Sequence, residues 1–94
     1  MLTVSLRDSL RLIQHTASAG AVDFTDHARE EMANDGFYDD DVIHALVNAD
    51  DAIRESANKW KVYGPSVSGE AMAVITVMID DKKRLRVVTV HLPP

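Results

Sequence analysis

The chain has 94 residues, 46% hydrophobic and 27% charged, with no cysteine and a formal net charge of −5. That length is one domain's worth, able to bury about 60–65% of its unfolded surface without disulfides or metal. The composition excludes thiol chemistry, cysteine zinc sites and membrane spans, because the longest apolar stretch, Ala71 to Ile79, is nine residues against the roughly 20 a span needs.

Arg7, Asp8 and Arg11 interrupt the apolar pattern at the N-terminus, so no signal peptide is expected there. The expectation is a small, acidic, cytoplasmic domain with no membrane partner. Residues 5–19 predict an amphipathic helix, since Leu6, Leu10, Ile13 and Ala17 fall on one stripe of a 3.6-residue period. Ser5 and Asp8 suit its first turn, and Gly20 its stop. Thr25 or Asp26 caps a second helix running to about Asn34. Gly36 supplies the left-handed residue past its end, and Phe37 the apolar residue of a Schellman-type stop. A third helix opens in Asp39-Asp40-Asp41, with acids against the positive end of the dipole, and closes near Asn48.

After Asp50 the pattern changes to period two. Ala52–Glu55 is a short strand candidate. Lys59–Tyr63 follows, with Trp60 and Val62 on one face and Lys59, Lys61 and Tyr63 on the other. Gly64-Pro65-Ser66 and Ser68-Gly69 read as turns. Ala71–Ile79 is apolar on both faces and reads as a central strand covered on both sides. Asp80–Lys83 is a polar turn that makes an antiparallel hairpin with the last strand, Arg84–Leu92. On strict alternation Leu85, Val87, Thr89 and His91 share one face of that strand, with Arg86, Val88, Val90 and Leu92 on the other. The expected class is α+β: about three N-terminal helices packed on a small antiparallel sheet of three to four strands.

Histidine is the side chain that titrates near neutrality when unperturbed. His15 and His44 read as helix-flank residues. His27 lies in the first turn of the second helix, where free backbone N–H groups also attract anions. His91 ends the last strand. His27 and Glu31 are spaced as a pair of ligands, yet no third joins them, so no metal or cofactor is expected. Glycine-rich phosphate cradles and serine-hydrolase elbows are absent from the sequence.

The charge is unevenly spread. Residues 1–50 hold three basic and ten acidic side chains, −7, whereas residues 51–94 hold seven basic and five acidic, +2. The basic half carries Arg54, Lys59, Lys61 and Arg86 together with Tyr63 and His91. A strand face holding cations, a phenol and an imidazole is what metal-free RNA cleavage asks for. A base removes the 2′-OH proton, an acid protonates the leaving oxygen, and cations stabilise the charge developing on phosphorus. The same residues also fit a solvated sheet whose lysines protect an edge strand.

Residues 24–42, from Phe24-Thr25-Asp26-His27-Ala28-Arg29 through Gly36 to Asp41-Val42, resemble a bacterial family labelled as a domain of unknown function. Its signature is a helix opening His-Ala-x-x-Arg-Met, a glycine stop and an acidic helix start ending in Asp-Val. The strand Leu85–His91 is similar to that family's end. Glu31 stands where the family usually has arginine. The family is grouped with RelE-like toxins, which implies a RelE-like fold. A second resemblance, over the whole chain, is to the MqsR toxins. It rests on Gly20-Ala21-Val22, Trp60-Lys61-Val62-Tyr63-Gly64-Pro65 and Ile75-Thr76-Val77.

The second resemblance implies a metal-independent mRNA endoribonuclease silenced by a cognate antitoxin, acting on free or ribosome-associated RNA. By position Arg54 and Lys61 stand at two of the toxin's site residues, Met72 replaces its site tyrosine, and His91 its terminal lysine. Arg54, Lys61 and His91 are then the expected catalytic residues. His27, Arg29, Lys59, Tyr63 and Arg86 would bind substrate. The alternative is a non-catalytic protein-binding module of the same fold.

Overall fold

The computed structural model describes residues 6–93, with side chains from Asp8 onward. The chain forms three helices, α1 (Leu6–Ser18), α2 (Asp26–Asp35) and α3 (Asp39–Val47). Five strands complete it: β1 (Val22–Phe24), β2 (Asp51–Ser56), β3 (Lys59–Pro65), β4 (Ala71–Ile79) and β5 (Arg84–His91). The sheet order is β1-β5-β4-β3-β2; β1 lies parallel to β5 and every other pair is antiparallel. The α+β class holds, with five strands in place of the three to four expected.

The helix boundaries follow local chemistry. Ile13 and Ala17 of the apolar stripe are buried and Leu10 is partly so, while Ser5 and the side chain of Leu6 lie outside the described residues. Gly20 ends α1 at φ 75°, and Ala21 N–H reaches back to Thr16 O at 3.2 Å. Thr25, not Asp26, caps α2, its hydroxyl accepting from Ala28 N–H at 3.1 Å. Gly36 takes φ 75°, and the Phe37 N–H donates to Met32 O at 2.8 Å with its ring buried, the Schellman stop. At α3, Asp41 accepts from Tyr38 N–H at 2.9 Å, and its second oxygen takes Val67 N–H at 3.1 Å.

All three helices pack on one face of the sheet. Ile13, Ala28, Met32, Val42 and Leu46 meet Trp60, Val62, Met72, Val74, Leu85, Val87 and Val90 in one core. Gly64 and Pro65 belong to β3, correcting the turn reading. Glycine is required there because a Cβ would sit 2.1 Å from Ala45 O, so α3 lies against bare β3 backbone. Among the described residues no helix lies on the opposite sheet face. The described helices therefore cover one side of β4, although Ala73 and Ile75 on the open side are also buried.

One strand escapes the sequence reading and one expected alternation fails, each for an identifiable reason. β1 is three residues long, too short for any periodicity to show. In β5 the register with β4 slips between Ile75 and Thr76, because Ile75 pairs with Thr89 and Thr76 with Val87. Val88 is the extra residue, a β-bulge. Beyond it the alternation inverts: Val90 is fully buried on the helix side, and Thr89 and His91 join Arg84 and Arg86 on the open face.

Candidate functional site

The register places the candidate residues in rows across the open face. One row runs Asp51, Tyr63, Ala73, His91, and the next runs Ile53, Lys61, Ile75, Thr89. A third runs Lys59, Val77, Arg86, Asp23. Tyr63 and His91 are two strands apart, about 10 Å between Cα atoms at ordinary strand spacing. Ala73, fully buried, lies between them in the row. The Lys61 ammonium lies 5.6 Å from the centre of the Tyr63 ring, so the cation and the phenol share one patch. The open face thus carries a phenol and an imidazole on either side of buried Ala73, with cations in the same and neighbouring rows.

His91 Nδ1 lies 3.3 Å from Leu92 O. A carbonyl only accepts, so in that contact Nδ1 carries the proton and Nε2 of the neutral ring keeps its lone pair. The same logic applies to His44, whose Nδ1 donates to Pro65 O at 2.9 Å and ties α3 to the end of β3. His44 is thereby a structural residue.

Among the described residues no ion pair joins Lys59, Lys61 or Arg86. Arg84 is different. It grips Asp23 through two hydrogen bonds of 3.1 and 2.7 Å, binding β1 to β5. That hydrogen-bonded guanidinium, helped by its charge and that of Arg86, holds the Asp23 carboxyl below its ordinary range against a smaller opposing effect of burial.

The remaining sequence candidates lie elsewhere. Arg54 projects from the helix side of β2, opposite Trp60, with its guanidinium 5.7 Å from that ring. It donates to Ser56 O at 3.1 Å and Ala57 O at 2.8 Å, closing the β2–β3 turn. It also lines a cavity of about 50 Å³ with Ser9, Leu12, Trp60, Met78 and Lys82. The sheet therefore separates Arg54 from Lys61 and His91. Arg29 lies on α2, paired with Asp39 at 2.9 Å and stacked 4.8 Å over Phe24. His27, with a side chain 64% exposed, contacts Glu31 at 3.3 Å. Met72 is fully buried in the core, so Tyr63 is the phenol this face offers.

Sequence reading named Thr25 as a cap and Glu31 as a neighbour of His27 but missed what both do for β5. Glu31 Oε1 accepts the Val90 N–H at 3.0 Å, and the Thr25 hydroxyl donates to Val88 O at 3.2 Å. These side chains serve the stretch of β5 that β1 is too short to cover, and no sequence spacing signals it. Among the described residues no group of three or more His, Asp or Glu side chains is arranged to hold a metal. None of the described helices is long and apolar enough to cross a membrane.

A family described as Domain of unknown function (DUF4258) matches residues 24–91. The chain belongs to this family. No curated protein and no solved structure matches it. The DUF4258 segment takes in α2, α3 and the whole sheet apart from the first two residues of β1. Every candidate residue on the open face falls within it, as does the Thr25–Glu31 side of β5.

Proposed function

We propose that the open sheet face binds single-stranded RNA and cleaves it without metal, as the toxin of a toxin–antitoxin pair with a RelE/MqsR-like fold. The observation that carries this reading is the assembly of Lys59, Lys61, Tyr63, Arg86 and His91 on one helix-free face. In this reading one phosphodiester lies across the face between the Tyr63 phenol and the His91 imidazole. Cations on the neighbouring rows, without an ion-pair partner among the described residues, follow the backbone on either side.

His91 Nε2 takes the proton from a 2′-OH, and the 2′ oxygen attacks the adjacent phosphorus. The bond to the 5′ oxygen breaks, and that oxygen takes a proton from the Tyr63 hydroxyl. The products are a 2′,3′-cyclic phosphate and a 5′-hydroxyl end. Lys61, beside Tyr63, stabilises the charge building on the phosphoryl oxygens and favours the ionised phenol left behind. Arg54 takes no part in this scheme. His27 and Arg29, off the open face, likewise do not touch the substrate.

The test is incubation of purified protein with single-stranded RNA in EDTA, with products scored for cyclic phosphate ends. The expected result is cleavage by the wild type and by Arg54→Ala, with loss in His91→Ala and Tyr63→Phe. Undiminished cleavage by His91→Ala removes His91 from the mechanism. No cleavage by any form, on free RNA or on translating ribosomes, favours a binding module. That second reading has its own support: Val77 is partly exposed on the open face, and Ile53, 52% exposed, sits at the rim of the same face. Such an apolar strip suits a protein partner, and an antitoxin would cover it.

A further inference from the structure

The bulge at Val88 decides which face His91 occupies, and it lies where β5 has lost its strand neighbour. β1 pairs with Leu85 to Val87 and stops. From there the backbone of β5 is met by side chains and the N-cap of α2. Thr25 N–H donates to Val87 O at 3.0 Å and the Thr25 hydroxyl to Val88 O at 3.2 Å. Two steps on, Glu31 Oε1 receives the Val90 N–H at 3.0 Å while also contacting His27 Nε2 at 3.3 Å. On the other side the Thr76 hydroxyl donates to Arg86 O at 3.1 Å, just before the bulge.

We infer that Thr25 and Glu31 are positioning residues that hold the bulged strand so that His91 stands on the open face beside Ala73 and Tyr63. Burial supplies part of the drive. Val87 and Val90 are three apart, and one extra residue lets both enter the core. The polar clamp then fixes the position of that residue. Without it Val90 N–H and Val88 O would lack these partners, leaving the strand free to sample the unbulged register. In that register His91 turns towards the helices and away from Ala73. His27 acts through Glu31, holding its carboxylate rather than contacting substrate.

The kinetic readout rests on the RNA-cleaving reading; the structural one does not. In Glu31→Leu the nuclear Overhauser contact between the His91 ring and the Ala73 methyl is expected to weaken severalfold. The kcat for RNA cleavage should fall about tenfold or more with KM nearly unchanged, because the lysines that bind RNA are untouched. Glu31→Gln keeps an acceptor oxygen and should restore both. Deleting Val88 closes the bulge but leaves His91 on the open face, so adding Glu31→Leu to that deletion should change kcat less than about twofold. An intact contact and unchanged kcat in folded Glu31→Leu overturn the inference, as does equal sensitivity with and without Val88. If the wild type cuts no RNA, the functional reading fails alone, and the His91–Ala73 contact still decides the positioning. Should Glu31→Leu not fold, Thr25→Val, which removes the bond to Val88 O together with the α2 cap, is judged by the same contact, with Thr25→Ser expected to restore it.

Discussion

The separation of Arg54 from Lys61 by the sheet yields a sharp prediction about salt. Lys59, Lys61 and Arg86 are the open-face cations without an ion-pair partner among the described residues. Each phosphate contact to a single strand contributes about 0.7 to the slope of log affinity against log salt, so three contacts give a slope of about −2. Raising salt from about 50 to about 200 mM should then weaken RNA binding roughly 20-fold. Lys61→Ala removes one contact, leaving a slope of about −1.4 and a loss of roughly sevenfold. Arg54→Ala should leave the slope at its wild-type value despite removing the same charge. Fluorescence anisotropy of a labelled single-stranded RNA measures this directly, at a pH of about 8 where ordinary imidazoles are neutral. Equal slopes for Lys61→Ala and the wild type, or a slope lowered equally by Arg54→Ala, would refute the face assignment.

Further expectations concern the scaffold. Gly64→Ala drives a Cβ to 2.1 Å from Ala45 O and 2.8 Å from the carbonyl carbon, both backbone atoms of α3. A cost of about 3 kcal/mol or more follows, lowering the thermal midpoint by roughly 10–20 °C in circular dichroism. An unchanged midpoint would mean that α3 sits further from β3. Asp41→Ala strips acceptors from Tyr38 N–H and Val67 N–H and should cost about 1–2 kcal/mol in urea unfolding. Asp40→Ala, one position away, should stay within a few tenths of a kcal/mol. Asp23→Asn tests the Arg84 pair through pH. Because the folded-state carboxyl is held low, its stabilisation is present above the ordinary carboxylate value and disappears as pH falls through the lowered one. The wild type should therefore exceed Asp23→Asn in urea midpoint near neutrality, with the gap closing as pH falls below the ordinary carboxylate value and through the lowered one. A gap that persists in acid would assign the effect to shape rather than charge.

Much of the fold was legible where one physical rule governs a segment. The cap and stops at Thr25, Gly20 and Gly36 follow from the stereochemistry of single residues, and the structure keeps all three. β3 was readable because Trp60 and Val62 alternate with Lys59, Lys61 and Tyr63, and the core takes the first pair. β1 was not readable because three residues carry no period, and its partner lies more than sixty positions away. Gly64 looked like punctuation because glycine at a turn and glycine beneath a helix are the same letter. Only the approach of Ala45 O distinguishes them.

The candidate site was legible in composition and not in geometry. Charge partition pointed to the strand half, yet it could not say which side of the sheet each cation occupies. β2 is an instance: small Ala52 is buried while larger Ile53 points outward at 52% exposure. Arg54 follows Ala52 to the helix side, contrary to what Ile53 alone suggests. β5 is the deeper case. Strict alternation puts His91 behind Leu85 and Val87, and two successive valines give no local sign that one is extra. The usable signal was energetic: the regular strand would send Thr89 and His91 inward and Val88 and Val90 outward. Inserting one residue after Val87 exchanges that arrangement for a buried Val90. Neither arrangement could be chosen without knowing that Thr25 and Glu31 stand ready to satisfy the disturbed backbone. Those two residues belong to the acidic, helical half of the chain. The −7 of residues 1–50 therefore includes the carboxylate that, through the Val90 N–H, orients the imidazole of the cationic half.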